Sequence, residues 1–251
     1  MGLLTWARAT ALAVLLAIGL GSSGCSTALD PSSTPAATGD DAGAASRPAP
    51  TATTPPAAPQ ATFDLSPHST DRAASLWVVV NEQRPLRPVG YVPELTQVEG
   101  YQVDPRVAGG LRALLREGRR AGLDLRLMSA YRSFGYQSAL FASRAAELGE
   151  AGARRVVALP GHSEHQTGLA VDFGRRSTGE CNVRPCFAQT AEGRWLRRHA
   201  WQYGFVLRYP EGAERVTGYS AESWHYRYVG RPLAAHLRRE GIATLERAFG
   251  L

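Results

Sequence analysis

Lysine is absent from this 251-residue sequence, so all 28 basic side chains are arginine and no site can use a lysine amine. Arginine grips carboxylates and phosphates through a planar fork, which suits a polyanionic environment. With a formal net charge of +6, nucleic acid is the competing partner, but the charge is scattered along the chain rather than gathered into a stripe. Long apolar runs are equally scarce. The one candidate, ATALAVLLAIGLG near the start, has about a dozen residues and is too short to span a bilayer comfortably. There are no internal repeats, which excludes a solenoid. Between residues 26 and 62 aromatic and large aliphatic side chains are nearly missing, so this stretch cannot bury enough apolar surface to offset its ordering entropy.

These gaps set the domain organisation. Arg8, the short apolar run and the small residues SSG before Cys25 read as an export signal over residues 1–25. Its end resembles a lipoprotein signal, with Cys25 as the lipid-bearing first residue of the mature chain; Ser22 stands where such signals usually carry Leu, and simple cleavage nearby is the alternative. Residues 26–62, rich in Ser, Thr, Pro and Ala, read as a flexible spacer, leaving 63–251 as the folded domain. Cysteine parity agrees with an acylated Cys25. Of three cysteines, Cys181 and Cys186 then remain as a pair in an oxidising compartment, where a bridge is predicted and two buried free thiols are the alternative.

Within the folded part, residues 76–80 read as a strand, followed by turn punctuation at Pro85, Pro88 and Pro93. Asp104-Pro105 reads as an N-cap with Pro at the first helical position. Val107, Leu111, Leu114 and Leu115 then recur at helical spacing. DLRLMS reads as a strand, GYQSALFASRAAELG as a helix, GLAVDF as a strand, TAEGRWLRRHAWQYGF as a helix ending before Gly204, and SWHYRYVG as a strand. Helix closes the chain. Without regular βαβ alternation, this pattern predicts an α+β fold with a small, mostly antiparallel sheet flanked by helices.

Ionisable residues gather beside turns in three segments. In GHSEHQTGLAVDF, alternation places Gly168, Ala170 and Asp172 on one strand face, a carboxylate beyond two minimal side chains, with His165 just upstream. In AESWHYRYVG, His225 and Arg227 point away from the aromatic face of Trp224, Tyr226 and Tyr228. Glu222 can aim where His225 aims only from a turn or bulge before the strand. Two imidazoles and a carboxylate with an open fourth position describe a catalytic zinc site, and a nearby glutamate describes its general base. Arg132, in the turn of SAYRSFGYQ, can grip a terminal carboxylate or face a developing oxyanion.

The strings SAYRSFGYQ, PGHSEHQTGLAVDF and ESWHYRYVG, with VVVNEQRPLRPVGYVPEL upstream, resemble the VanY-type D-alanyl-D-alanine carboxypeptidases. The resemblance implies the D-Ala-D-Ala peptidase/hedgehog-like fold and a zinc-dependent D,D-carboxypeptidase acting on the stem peptides of peptidoglycan. It also implies His165, Asp172 and His225 as metal ligands, Glu222 as catalytic base and Arg132 as the transition-state arginine, with Ser163 and Gln137 at positions that hold the substrate's terminal residue. Glu82 departs from the lysine the family carries there. His162 is a decoy with poorer spacing, and His68, His199 and His236 read as surface or packing residues. The expected protein is exported to the outer face of the membrane or the wall and is monomeric. An L,D-carboxypeptidase or endopeptidase on the same scaffold, and a wall-binding lipoprotein without catalysis, are the rival readings.

Overall fold

The computed structural model describes residues 63–177 and 179–251; the expected leader, Cys25 and the spacer lie outside the described residues. Among the described residues, no helix is long and apolar enough to cross a membrane.

Helix α1 (Pro105–Arg120) begins where the sequence places its cap, with the Asp104 carboxylate accepting the backbone N–H of Arg106. Its apolar stripe of Val107, Leu111, Leu114 and Leu115 is fully buried. Each such side chain contributes about 1.5–3 kcal/mol relative to exposure. Arg119 and Arg120 lie in its last turn, where cations complement the helix dipole. Just before α1, β1 (Thr96–Val98) and β2 (Tyr101–Val103) form a small antiparallel hairpin. Its two-residue turn, Glu99-Gly100, has positive φ at both positions, the geometry a tight hairpin requires.

The main sheet is antiparallel throughout, in the order β3 (Leu125–Ser129), β4 (Ala170–Arg175), β6 (Glu222–Tyr228) and β5 (Phe205–Tyr209). Leu127, Val171, Phe173, Phe205 and Tyr226 join the α1 stripe in one core, and the rings of Phe173 and Tyr226 meet edge to face at 5.6 Å. Helices α2 (Phe134–Leu148) and α3 (Glu150–Arg154) follow β3, with Ser133 capping α2. Helix α4 (Ala191–His199) tightens into a 3-10 turn, Ala200–Tyr203, that ends at Gly204. The short α5 (Glu214–Thr217) precedes β6, and α6 (Arg231–Glu240) and α7 (Leu245–Phe249) close the chain.

Three expectations need correction. The C-terminal helix is two helices, divided at Gly241 in the left-handed conformation. Strand β5 escaped the sequence reading because Arg208 interrupts a very short apolar pattern. Residues 76–80 are not a strand. Their side chains alternate between two cores: Val78 and Val80 enter the main one, while Trp77 and Val79 enter a second formed with Val229, Leu233, Leu237 and Leu245. No neighbouring strand supplies hydrogen bonds to this segment. Instead, the carbonyls of Leu76 and Val80 accept guanidinium donors from Arg227 and Arg208. Buried backbone must be partnered, and here charged side chains from β6 and β5 replace a ladder.

Candidate functional site

Asp172 and His225 are direct register partners across the β4–β6 ladder in the middle of the sheet. His165 arrives from the 3-10 turn Glu164–Thr167, which ends at Gly168 with φ +69°. A β-carbon at Gly168 would lie 2.9 Å from the backbone nitrogen of Asp104, whose N–H donates to the Gly168 carbonyl. The glycine therefore allows the turn to press against the start of α1.

One atom from each of His165, Asp172 and His225 lies within 4.8 Å of the others, and all three residues are buried. Nδ1 of His165 is held at 2.6 Å by the Ala130 carbonyl, so Nε2 faces Asp172 Oδ2 at 3.3 Å. Nδ1 of His225 lies 3.2 Å from Asp172 Oδ1. Neighbouring ligands about 2.0–2.2 Å from a tetrahedral zinc stand about 3.4 Å apart, close to the two imidazole–carboxylate spacings here. Asp172 Oδ1, buried with no hydrogen-bond partner, is a donor atom left over for a cation.

The electrostatics separate the two histidines. Burial and the Arg132 charge lower His165 to about 4, outweighing Asp172, so its ring is neutral. Burial also disfavours charge on His225, but the carboxylates of Asp172 and Glu164 beside its ring raise it to about 9. Burial alone would raise Asp172, yet the two imidazoles hold it far below the carboxylate range.

Glu222 joins this group through a bulge. Between the pairs Leu207–Tyr226 and Tyr209–Glu222, β5 advances two residues while β6 advances four. The extra residues turn Glu222 towards His225, where a regular strand would point it away. Burial raises its carboxyl to about 7, and Asp172 and Glu164 add to that against the opposing pull of His225 and Arg132. A carboxyl near 7 is matched to exchanging protons at neutral pH.

Arg132 lies opposite, its Nη1 3.9 Å from Asp172 Oδ2. Its Nε donates to Gln137 Oε1 at 3.1 Å and its Nη2 to Ser163 Oγ at 3.3 Å. Arg132, Ser163, Glu222 and the three candidate ligands line a cavity of about 440 Å³, walled by Val156, Val183 and Pro185 among others. Gln137 does not line it. That side chain is 0% exposed, donates to the Ala158 carbonyl and accepts from Arg132. Cys181 and Cys186 are joined in a disulfide that closes the loop carrying Val183.

The remaining histidines lie away from this cluster. Nδ1 of His162 sits 3.0 Å from the Asn81 carbonyl, His68 meets the edge of Trp77, His199 packs near Trp195 and His236 stacks on Phe63. The sequence reading missed Glu164 and Arg208. Arg227 carried a signal in its alternation with His225, but nothing local named its partner.

Relatives share this architecture. The Bacillus subtilis (strain 168) protein YodJ is 37% identical over 153 residues, 61% of this chain and 55% of that one, so the chain spans little more than half of this curated relative. The solved LdcB LD-carboxypeptidase is similar with a TM-score of 0.65 and 34% identity, covering 71% of this chain and 87% of that one. A vancomycin-resistance D,D-pentapeptidase VanY from a VanB-type cassette, solved in complex with Zn(II), is similar with a TM-score of 0.60 and 33% identity, covering 68% of this chain and 97% of that one. The family model described as "VanY: D-alanyl-D-alanine carboxypeptidase" matches residues 100–231, more than half of the sequence, and the chain belongs to that family.

Proposed function

We propose that the protein is a zinc-dependent D,D-carboxypeptidase that hydrolyses the terminal D-Ala-D-Ala bond of peptidoglycan stem peptides. One observation carries this: a buried His165–Asp172–His225 cluster whose ligand atoms lie within 4.8 Å of one another, with a second carboxylate, Glu222, 3.5 Å from His225 at an open cavity. When bound there, zinc supplies Lewis acidity, polarising a carbonyl and making a nearby water acidic enough to attack near neutral pH.

This chain's own residues would do the rest. Glu222 takes the proton from the attacking water and passes it to the leaving amine as the peptide bond breaks. Arg132, held by Gln137 and Ser163, offers its guanidinium to negative charge on the substrate, either the terminal carboxylate or the oxyanion that develops at the scissile carbonyl. The apolar wall at Val156, Val183 and Pro185 limits water around the bond. D-Ala would be the released product.

The likeness to an LD-carboxypeptidase keeps a second specificity in view, because stereochemical choice rests with pocket walls rather than with the ligand set. A product assay on defined pentapeptide and tetrapeptide muropeptides, with and without chelator, decides. Chelator-sensitive release of D-Ala from the pentapeptide supports the D,D reading. Release from the tetrapeptide alone replaces it with the L,D reading.

The proposal extends to an exported, monomeric enzyme tethered by a lipid on Cys25, supported by the apolar run and small residues before that cysteine. Mass analysis of the mature N-terminus separates acylation from simple cleavage.

A further inference from the structure

Beside His225, reaching inward from Glu164 at the cavity wall, lies a buried set of charges with no part in the hydrolysis described above. Glu164 Oε1 accepts from Arg208 Nε at 2.8 Å and from Arg227 Nη1 at 2.7 Å. Arg208 also donates to both carboxylate oxygens of Glu246 on α7, at 3.0 and 2.6 Å, and Glu246 accepts from Asn81 at 2.9 Å. The side chains of Glu164, Arg208 and Arg227 are fully excluded from solvent, and that of Glu246 is 2% exposed. Two arginines balance two glutamates.

That arrangement leaves one carboxylate oxygen over. Glu164 Oε2 stands 3.5 Å from His225 Nε2, and both atoms are buried with no hydrogen-bond partner. A neutral imidazole carries one donor and one acceptor, and the partner of one nitrogen fixes what the other can do. Nδ1, not Nε2, faces the candidate metal point, 3.2 Å from Asp172 Oδ1, so a cation bound there takes the Nδ1 lone pair and leaves the ring's hydrogen on Nε2, facing Glu164.

We propose that Glu164 is a positioning residue that accepts the Nε2–H of His225 and thereby aims the Nδ1 lone pair at the point shared with His165 and Asp172. This rests on the reading of those three residues as metal ligands. It makes the two rings unlike: His165 is oriented through Nδ1 by a neutral carbonyl, and His225 through Nε2 by a carboxylate clamped by Arg208 of β5 and Arg227 of β6. A carboxylate behind a ligand ring raises its basicity and commonly improves metal affinity about 10–100-fold.

The test uses the full zinc-loaded chain. Long-range ¹H–¹⁵N correlation of its histidines should show His225 protonated at Nε2. Chelator competition should show Glu164→Gln binding zinc about 10–100-fold more weakly than the parent chain. A His225 protonated at Nδ1 overturns the inference, and this measurement needs no variant, so it holds even if Glu164→Gln fails to fold. A folded Glu164→Gln that loses thermal stability but keeps parental zinc affinity also overturns it, leaving Glu164 as an ion-pair filler. A parent chain that binds no zinc defeats the peptidase reading itself, which distinguishes the two failures.

Discussion

Glu222 Oε2 lies 3.5 Å from Nδ1 of His225, although in a regular strand residues three apart face opposite sides of the sheet. The bulge against β5 makes this possible and places a proton acceptor beside the candidate metal point. Glu222→Gln keeps the shape and removes the base. Turnover of a pentapeptide substrate is expected to fall about 10²–10⁴-fold, the usual contribution of a general base, while zinc content is unchanged. Parental turnover in the variant would remove Glu222 from the mechanism.

Asp172 bridges the two imidazoles, with one oxygen 3.3 Å from His165 and the other 3.2 Å from His225. Asp172→Ala should therefore weaken zinc binding by more than the about 10–100-fold typical of an outer partner. Chelator competition measures it, and unchanged affinity would mean that Asp172 is not a ligand.

The metal-free fold should lose stability as pH rises above neutral. His225, ordinarily near 6.5, is raised to about 9, so its stabilising contribution is full below 6.5 and lost as pH rises through about 9. Glu222, raised to about 7, acts in the same direction between 4.5 and 7. His165, lowered to about 4, opposes both only between about 4 and 6.5. Denaturant melts with chelator should thus show a decline of the order of 3 kcal/mol between pH 7 and 9.5. Zinc must displace the His225 proton, so its apparent affinity should rise over the same window. A flat profile would contradict the arrangement around His225.

Gln137 gives Arg132 an acceptor and the Ala158 carbonyl a donor. Gln137→Leu leaves both without that partner, at a cost of about 1–3 kcal/mol in a chemical melt. Catalysis should also suffer through the freed guanidinium. If turnover and KM stay parental while stability falls, Gln137 is a packing residue only.

The Cys181–Cys186 bridge closes a loop whose Val183 and Pro185 wall the cavity. Replacing both cysteines by serine should cost about 2 kcal/mol on the chain-entropy account. KM should rise, because Val183 and Pro185 line the cavity that takes the substrate. An unchanged KM would detach this loop from substrate binding.

Much of the site was legible because its parts are local. The helical stripe of α1, the strand around Asp172 and the alternation around His225 follow from side-chain periodicity, and the motif strings carried the family. Position within the strand also predicted that Glu222 needed a bulge. The function of the segment at 76–80 was not legible, since an apolar run looks the same whether it pairs in a ladder or threads between two cores. The burial of Gln137 was not legible either, since it depends on how α2 packs.

The sequence by itself determined the chemistry available: which residues could bind a cation, which could move a proton, and which elements would carry them. Tertiary structure alone decided the partners. Glu164 meets Arg208 and Arg227 across 44 and 63 residues of chain, and its free oxygen reaches His225 only because β4, β5 and β6 lie side by side. Ionic contacts between buried groups act over a few ångströms, and no periodicity along the chain encodes which distant residues will come that close.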